Sequence, residues 1–172
     1  DPATPLEETM SALNDLVHQG KVRYIGCSNF AGWQLMKALA ICEKNHWEKF
    51  VTLQALYSLM ARDLEFELVP LSLDQGLGVL PWSPLYGGFL TGKFRKDKPK
   101  PQGTRRSGDQ QFLQIGDDAK AYAIIEALEK VAVNHEASIA QAALNYLLRK
   151  PAVSSVIIGA RTSEQLRDNL KA

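Results

Sequence analysis

Polar residues that could grip a large charged ligand recur in this sequence at one kind of place, the end of an apolar, β-type run. Ser28 and Asn29 follow the first such run, Gln54 lies in the second, Trp82 and Ser83 close the third, and Gly159, Arg161 and Thr162 follow the fourth. As a set they offer amide and hydroxyl hydrogen-bond partners, a flat aromatic face, backbone donors in glycine-containing turns and one guanidinium. This inventory suits a dinucleotide, with its carboxamide, flat ring and pyrophosphate. A guanidinium pairs well with a phosphate dianion, so Arg161 favours a dinucleotide carrying a 2′-phosphate, NADP rather than NAD.

Other chemistry is argued against by the same residues. Gly87 to Lys93 has the spacing of a triphosphate-binding loop, but Phe94 stands where a Ser or Thr is required. His18, His46 and His135 have no ligand spacing with each other or with Cys27 and Cys42, so no metal site is expected. Cys27 lies on an apolar run and reads as a core residue. Lys93, Arg95, Lys96, Lys98, Lys100, Arg105 and Arg106 form a basic stretch opposed only by Asp97. It reads either as a solvated loop or as a clasp for phosphate. Nucleic acid is the poorer fit, because no aromatics are interleaved for stacking.

The elements that must position these residues alternate between helical and extended periods, the pattern of a parallel sheet with crossover helices. Thr4 reads as a helix cap with Pro5 at the first helical position, and Leu6, Met10, Leu13, Leu16 and Val17 follow at helical spacing up to Gly20. Strands are expected at residues 21–27, 51–56, 78–82 and 155–159. Helices are expected at 33–45, 63–74, 119–133, 139–148 and 162–170, the last capped by Thr162 or Ser163. An irregular stretch at about 83–116, rich in Gly, Pro and Lys, is long enough to expect a function for it. Four strands, each followed by helix, fit either a doubly wound sheet or half of a (β/α)8 barrel, in which every strand end faces one mouth.

Composition narrows the class. The 172 residues are 45% hydrophobic and 23% charged, an ordinary globular balance sized for one domain. A formal net charge of +1 points to neither nucleic acid nor an anionic membrane. No apolar run approaches the ~18 residues of a membrane span, nothing reads as a signal peptide, and two cysteines fit a reducing cytoplasm. The chain opens on Asp1 rather than Met, so a processed, engineered or truncated start is expected.

Three segments carry a specific resemblance. Gly20 to Phe30 (GKVRYIGCSNF), Pro81 to Lys93 (PWSPLYGGFLTGK) and Ile158 to Leu170 (IGARTSEQLRDNL), with Thr52 to Leu59 (TLQALYSL) between the first two, resemble the aldo-keto reductase family in the right order. The resemblance covers essentially the whole chain, residues 1–172, and implies the C-terminal, cofactor-holding half of that family's TIM barrel. By it, Ser28, Asn29 and Gln54 would hydrogen-bond the nicotinamide carboxamide and Trp82 would stack on the ring. Ser83, Leu85 and Gly87 would approach the pyrophosphate, with Lys93 nearby. Gly159 would also border the cofactor, Arg161 and Thr162 would meet the 2′-phosphate, and Gln165, Asp168 and Asn169 would lie near the adenosine. The implied cofactor is NADP(H).

The chain departs from the family in one large respect. The family's Asp, Tyr, Lys and His tetrad lies before this segment, and no catalytic residue can be carried over. The resemblance therefore implies an NADPH-dependent reductase of aldehydes or ketones whose proton chemistry sits upstream, with this segment inactive alone. An NADP-binding regulatory or docking subunit of the same type is the alternative, and an independent half-barrel serving another ligand is a further one. Half of a closed barrel exposes two strand edges, so the expected partners are the missing N-terminal half or a second copy of the chain, besides a small carbonyl substrate.

Overall fold

A computed structural model describes residues 3–96, 98, 99, 102 and 113–172. Its elements are α1 (Leu6–His18), β1 (Ile25–Ser28), α2 (Gly32–Asn45), β2 (Phe50–Leu56), α3 (Leu68–Gln75), β3 (Gly78–Trp82), α4 (Asp118–Asn134), α5 (Ile139–Leu148) and α6 (Ser163–Asn169), with 3₁₀ segments at Asp63–Glu65 and Tyr86–Thr91. The chain divides into two compact units. The first comprises Asp1–Ala55 and Asp63–Leu80, the second Leu56–Arg62 and Pro81–Ala172.

In the N-terminal unit β1 and β2 pair in parallel through the crossover helix α2, and the sheet order is β1-β2-β3. Met10, Leu35, Leu39, Leu53 and Val79 are buried there, giving α1, α2 and the sheet a shared apolar interior. Ile25 pairs with Phe50, but Gly26 pairs with Thr52, so the register slips by one residue between them. Such a bulge re-aims every residue beyond it. It brings Ser28 opposite Gln54, where an unbroken ladder would have set Leu53. Gly26 is required at that step, because a Cβ there would collide with Thr52 Oγ1 and lie 3.0 Å from the Thr52 carbonyl oxygen.

In the C-terminal unit α4 packs on α5, and α5 also packs against the 3₁₀ segment and α6. Tyr86, Phe89, Leu90 and Phe94 bury against Ala121, Ile125, Leu128 and Ala143. Phe94, the residue that disqualifies a triphosphate-binding loop, is thus a core residue, with its ring 5.6 Å from that of Phe89.

Several sequence expectations need correction. Three strands, not four, are present among the described residues, since residues 155–160 form no strand. One ladder-type bond survives, from the Ile157 N–H to the Pro81 carbonyl at 2.9 Å. The return bond of a parallel ladder would come from Ser83, whose left-handed φ of 51° breaks the extended backbone. The first strand starts at Ile25 rather than at residue 21, because the Lys21 and Val22 N–H groups close α1 onto the Leu16 carbonyl. The helix expected at 63–74 is broken after Glu65. Pro70 cannot follow a helical Phe66, whose carbonyl its ring would strike, so α3 restarts at Leu68. Pro5, not Thr4, is the N-cap of α1. The stretch at 83–116 is not irregular throughout, as the 3₁₀ segment opens it.

Candidate functional site

In the N-terminal unit the site residues stand at the C-terminal ends of β1 and β2. Ser28 pairs with Gln54, and the Asn29 N–H donates to the Gln54 carbonyl at 3.0 Å. Asn29 is left-handed (φ 56°), a conformation Asn tolerates better than most residues. Ser28 and Asn29 could have served as caps for α2. They do not: Ala31 is its N-cap, and the Ala31 N–H donates to Gln34 Oε1 at 3.0 Å. Ser28 and Asn29 are exposed and Gln54 is half-buried.

Beside them, burial pushes the Cys27 thiol up to about 11, with its own backbone bond only partly opposing. It is therefore no nucleophile at neutral pH. His18, His46 and His135 sit at the ends of α1, α2 and α4. Among the described residues no three of His, Cys, Asp and Glu are grouped to hold a metal ion.

The C-terminal unit contains a cleft of about 960 Å³. Trp82, Ser83, Leu85, Gly87, Lys93, Gly159, Arg161, Gln165, Asp168 and Asn169 all line it. Thr162 is the one expected residue of this unit outside the lining. It caps α6 instead, its hydroxyl accepting from the Gln165 N–H at 3.3 Å.

One wall is the turn-rich run after β3. Ser83, Tyr86, Gly87, Gly88 and Gly92 are all left-handed, with φ between 50° and 87°. Gly88 faces open space where a side chain would begin, so backbone borders the cleft directly there. The Tyr86 hydroxyl donates to the Gln114 carbonyl at 2.7 Å, and Thr91 Oγ1 donates to the Gly88 carbonyl at 2.7 Å, fixing the turn.

The other wall runs from Ile157 through α6. The Arg161 N–H donates to Gln165 Oε1 at 2.9 Å, which holds Arg161 against the first turn of α6. The exposed Glu164 carboxyl is held below its usual range by its own backbone N–H, then by the Ser163 and Thr162 hydroxyls. Asp168 is the one carboxylate among the lining residues. Its oxygens accept from Ser138 Oγ at 2.8 Å and Gln141 Nε2 at 2.7 Å, so both are engaged within the protein. Lys93 and Arg161 are the two cations among the described lining residues, and beside bare glycine backbone they form a donor set that suits an anion.

Sequence reasoning missed Ser138, Thr91, Phe94, Ile157 and Ile158, which also line the cleft. Ser138 carried a detectable signal, since Ser138 and Gln141 have capping-box spacing before an apolar helix. Of the basic stretch, Lys93 reaches the cleft and Arg95 pairs with Glu129. Lys100, Arg105 and Arg106 lie outside the described residues.

Comparison with known proteins shows the family. The sequence profile of the aldo/keto reductase family matches residues 1–172, and the chain belongs to that family of oxidoreductases. An uncharacterized oxidoreductase of Bacillus subtilis, YrpG, is 41% identical over 172 residues, spanning 100% of this chain and 50% of its own length. The versiconal hemiacetal acetate reductase of Aspergillus parasiticus is 34% identical over 166 residues, spanning 96% of this chain and 48% of its own. The crystal structure of the thermostable aldo-keto reductase Tm1743 with the inhibitor epalrestat superposes with a TM-score of 0.72 at 32% identity, covering 99% of this chain and 50% of that one. The chain thus spans about half the length of the curated relatives it matches.

Proposed function

We propose that this chain is the cofactor-holding half of an NADPH-dependent aldo-keto reductase that reduces aldehydes or ketones to alcohols. The observation that carries the reading is the cleft of the C-terminal unit. It gathers Trp82, Ser83, Leu85, Gly87, Lys93, Gly159, Arg161, Gln165, Asp168 and Asn169, which the sequence marked out singly, and its donors suit a phosphate-rich ligand.

In this reading Trp82 offers its face to the nicotinamide, and the turn from Ser83 to Lys93 carries the pyrophosphate. Arg161 and Thr162 meet the 2′-phosphate, with Gln165, Asp168 and Asn169 toward the adenosine. Ser28, Asn29 and Gln54 hold the carboxamide and so select which ring face donates. When bound, the cofactor supplies a hydride. The chain's own contribution is to orient it, and orientation alone is worth orders of magnitude in rate. No residue here is assigned to move the proton, so turnover needs residues outside this segment.

The sheet order leaves β1 and β3 as edge strands among the described residues. The natural partner is therefore the rest of a closed barrel, and the segment alone would pair through those edges with a second copy. The two free, buried thiols, Cys27 and Cys42, suit a reducing cytoplasm. No helix of the described residues is long and apolar enough to cross a membrane.

Titration of the full-length protein with NADPH and NADH tests the reading. Arg161→Ala is expected to weaken NADPH about ten- to a hundredfold, the worth of a hydrogen bond to a charged group, and to leave NADH nearly unchanged. Equal loss for both cofactors, or for neither, would sink the 2′-phosphate assignment. Carbonyl-dependent oxidation of NADPH by the same protein separates a reductase from a binding subunit.

A further inference from the structure

Both walls of the cleft meet at the first turn of α5. Ser138 is the N-cap of that helix, and its hydroxyl accepts from the Gln141 N–H at 3.1 Å while Gln141 Oε1 accepts from the Ser138 N–H at 3.2 Å. A capping box normally stops there. Here a third residue is threaded through it. Ser138 Oγ donates to Asp168 Oδ2, and Gln141 Nε2 donates both to Asp168 Oδ1 and, at 3.0 Å, to the Asp168 carbonyl. Since an ionised carboxylate only accepts, the hydroxyl proton is committed to Asp168 and the ring of bonds has one polarity. The negative end of this ring also sits at the electropositive start of a ten-residue helix.

The same turn holds the opposite wall. A Cβ at Gly92 would collide with Ile139 Cδ1 and lie 3.3 Å from Cγ1, so the bare Cα of Gly92 is seated on the residue that follows Ser138. Gly92 directly precedes Lys93. Asp168 lies in the last turn of α6, and Arg161 is held to the first turn of that helix through Gln165.

We infer that the Ser138–Gln141 turn is a positioning device that sets the spacing of Lys93 from Arg161 and thereby the preference of the cleft for a 2′-phosphorylated dinucleotide. The inference rests on the NADPH reading above and extends it to residues that line or lie behind the wall. Ser138 and Gln141 act through Asp168, which latches α6 to the first turn of α5.

The test is direct binding of NADPH and NADH, with thermal melting, by the full-length protein and its variants. Ser138→Ala is expected to weaken NADPH about three- to tenfold, the range of one or two lost hydrogen bonds, while NADH changes little. Ser138→Thr keeps a capping hydroxyl and is expected to restore the preference. Asp168→Ala removes both acceptors and should reproduce Ser138→Ala, which keeps the test open if that variant fails to fold. A lower melting temperature with an unchanged NADPH-to-NADH ratio in both variants would overturn the positioning role. So would failure of Ser138→Thr to restore the ratio. If Arg161→Ala also leaves that ratio unchanged, the cleft reading itself has failed, whereas an effect of Arg161→Ala alone overturns only the latch.

Discussion

The two units solve the same problem by different means. In the N-terminal unit Ser28, Asn29 and Gln54 hang from a hydrogen-bonded ladder, and one register slip at Gly26 decides which side chains are neighbours. In the C-terminal unit the candidate contacts hang from turns. Five left-handed residues between Ser83 and Gly92 shape one wall, and a three-residue ring of side-chain bonds holds the other. A ladder places few residues and places them rigidly. Turns bring backbone close to a large ligand, and they need an apolar anchor and caps to stay put. Phe89 and Phe94 are that anchor.

The largest expected effect tests that dependence. Phe89 is 1% exposed and joins the turn to α4, so Phe89→Ala should cost about 3–5 kcal/mol, measured by denaturant unfolding of the full-length protein. NADPH binding should fall with it, because the same side chain seats the wall. A variant that loses this stability yet binds NADPH normally would show that the turn keeps its shape without the core beneath it.

A smaller effect is expected on the ladder. Gly26→Ala puts a methyl group against Thr52, whose backbone oxygen cannot move aside, and overpacking of this kind costs about 1–3 kcal/mol. The readout that separates register from packing is amide exchange at Ser28 and Asn29. The Asn29 N–H bond to Gln54 should lose protection if the strands shift to relieve the clash. Full protection with lowered stability would mean that Thr52 alone adapts and that the register does not depend on Gly26.

The contrast also explains how much the sequence disclosed. Strand ends and helix faces were legible, because alternation and 3.6-residue spacing are local: β3 at Gly78–Trp82 and α5 at Ile139–Leu148 fall where periodicity places them. What depends on a distant partner was not. Nothing local to Ser28 reports the bulge that sets it beside Gln54. Residues 155–159 are apolar and β-branched enough to read as a strand, and the left-handed Ser83 opposite breaks the ladder they would join. Pro70 was visible and would have broken the helix at 63–74 had its clash with Phe66 been weighed against the apolar spacing. A carboxylate beside Asn169 gives no hint in the sequence of the Ser138 and Gln141 groups that bond both oxygens of Asp168. Ser138 has capping-box spacing with Gln141, but its second task appears only when α6 is brought against α5.

The smallest expected effect bears most directly on the comparison. Asn29 and Ser83 both follow a strand in a left-handed conformation, at φ 56° and 51°. Asn accepts that region with little penalty, whereas for Ser it costs on the order of 1 kcal/mol. Glycine removes the penalty but brings its own entropic cost, about 0.5–1 kcal/mol. Asn29→Gly should therefore leave melting unchanged or slightly lowered, and Ser83→Gly should raise it by a few tenths of a kcal/mol at most. The binding readout separates them further. Ser83 lines the cleft, so on the proposed reading Ser83→Gly removes a hydroxyl from the NADPH site even as the fold relaxes, and affinity should fall while stability holds or rises. Strain retained for a contact is what that opposition would demonstrate. If Ser83→Gly instead improves both stability and NADPH affinity, the left-handed serine is a cost of the turn alone, and the C-terminal unit positions its ligand by backbone without help from that side chain.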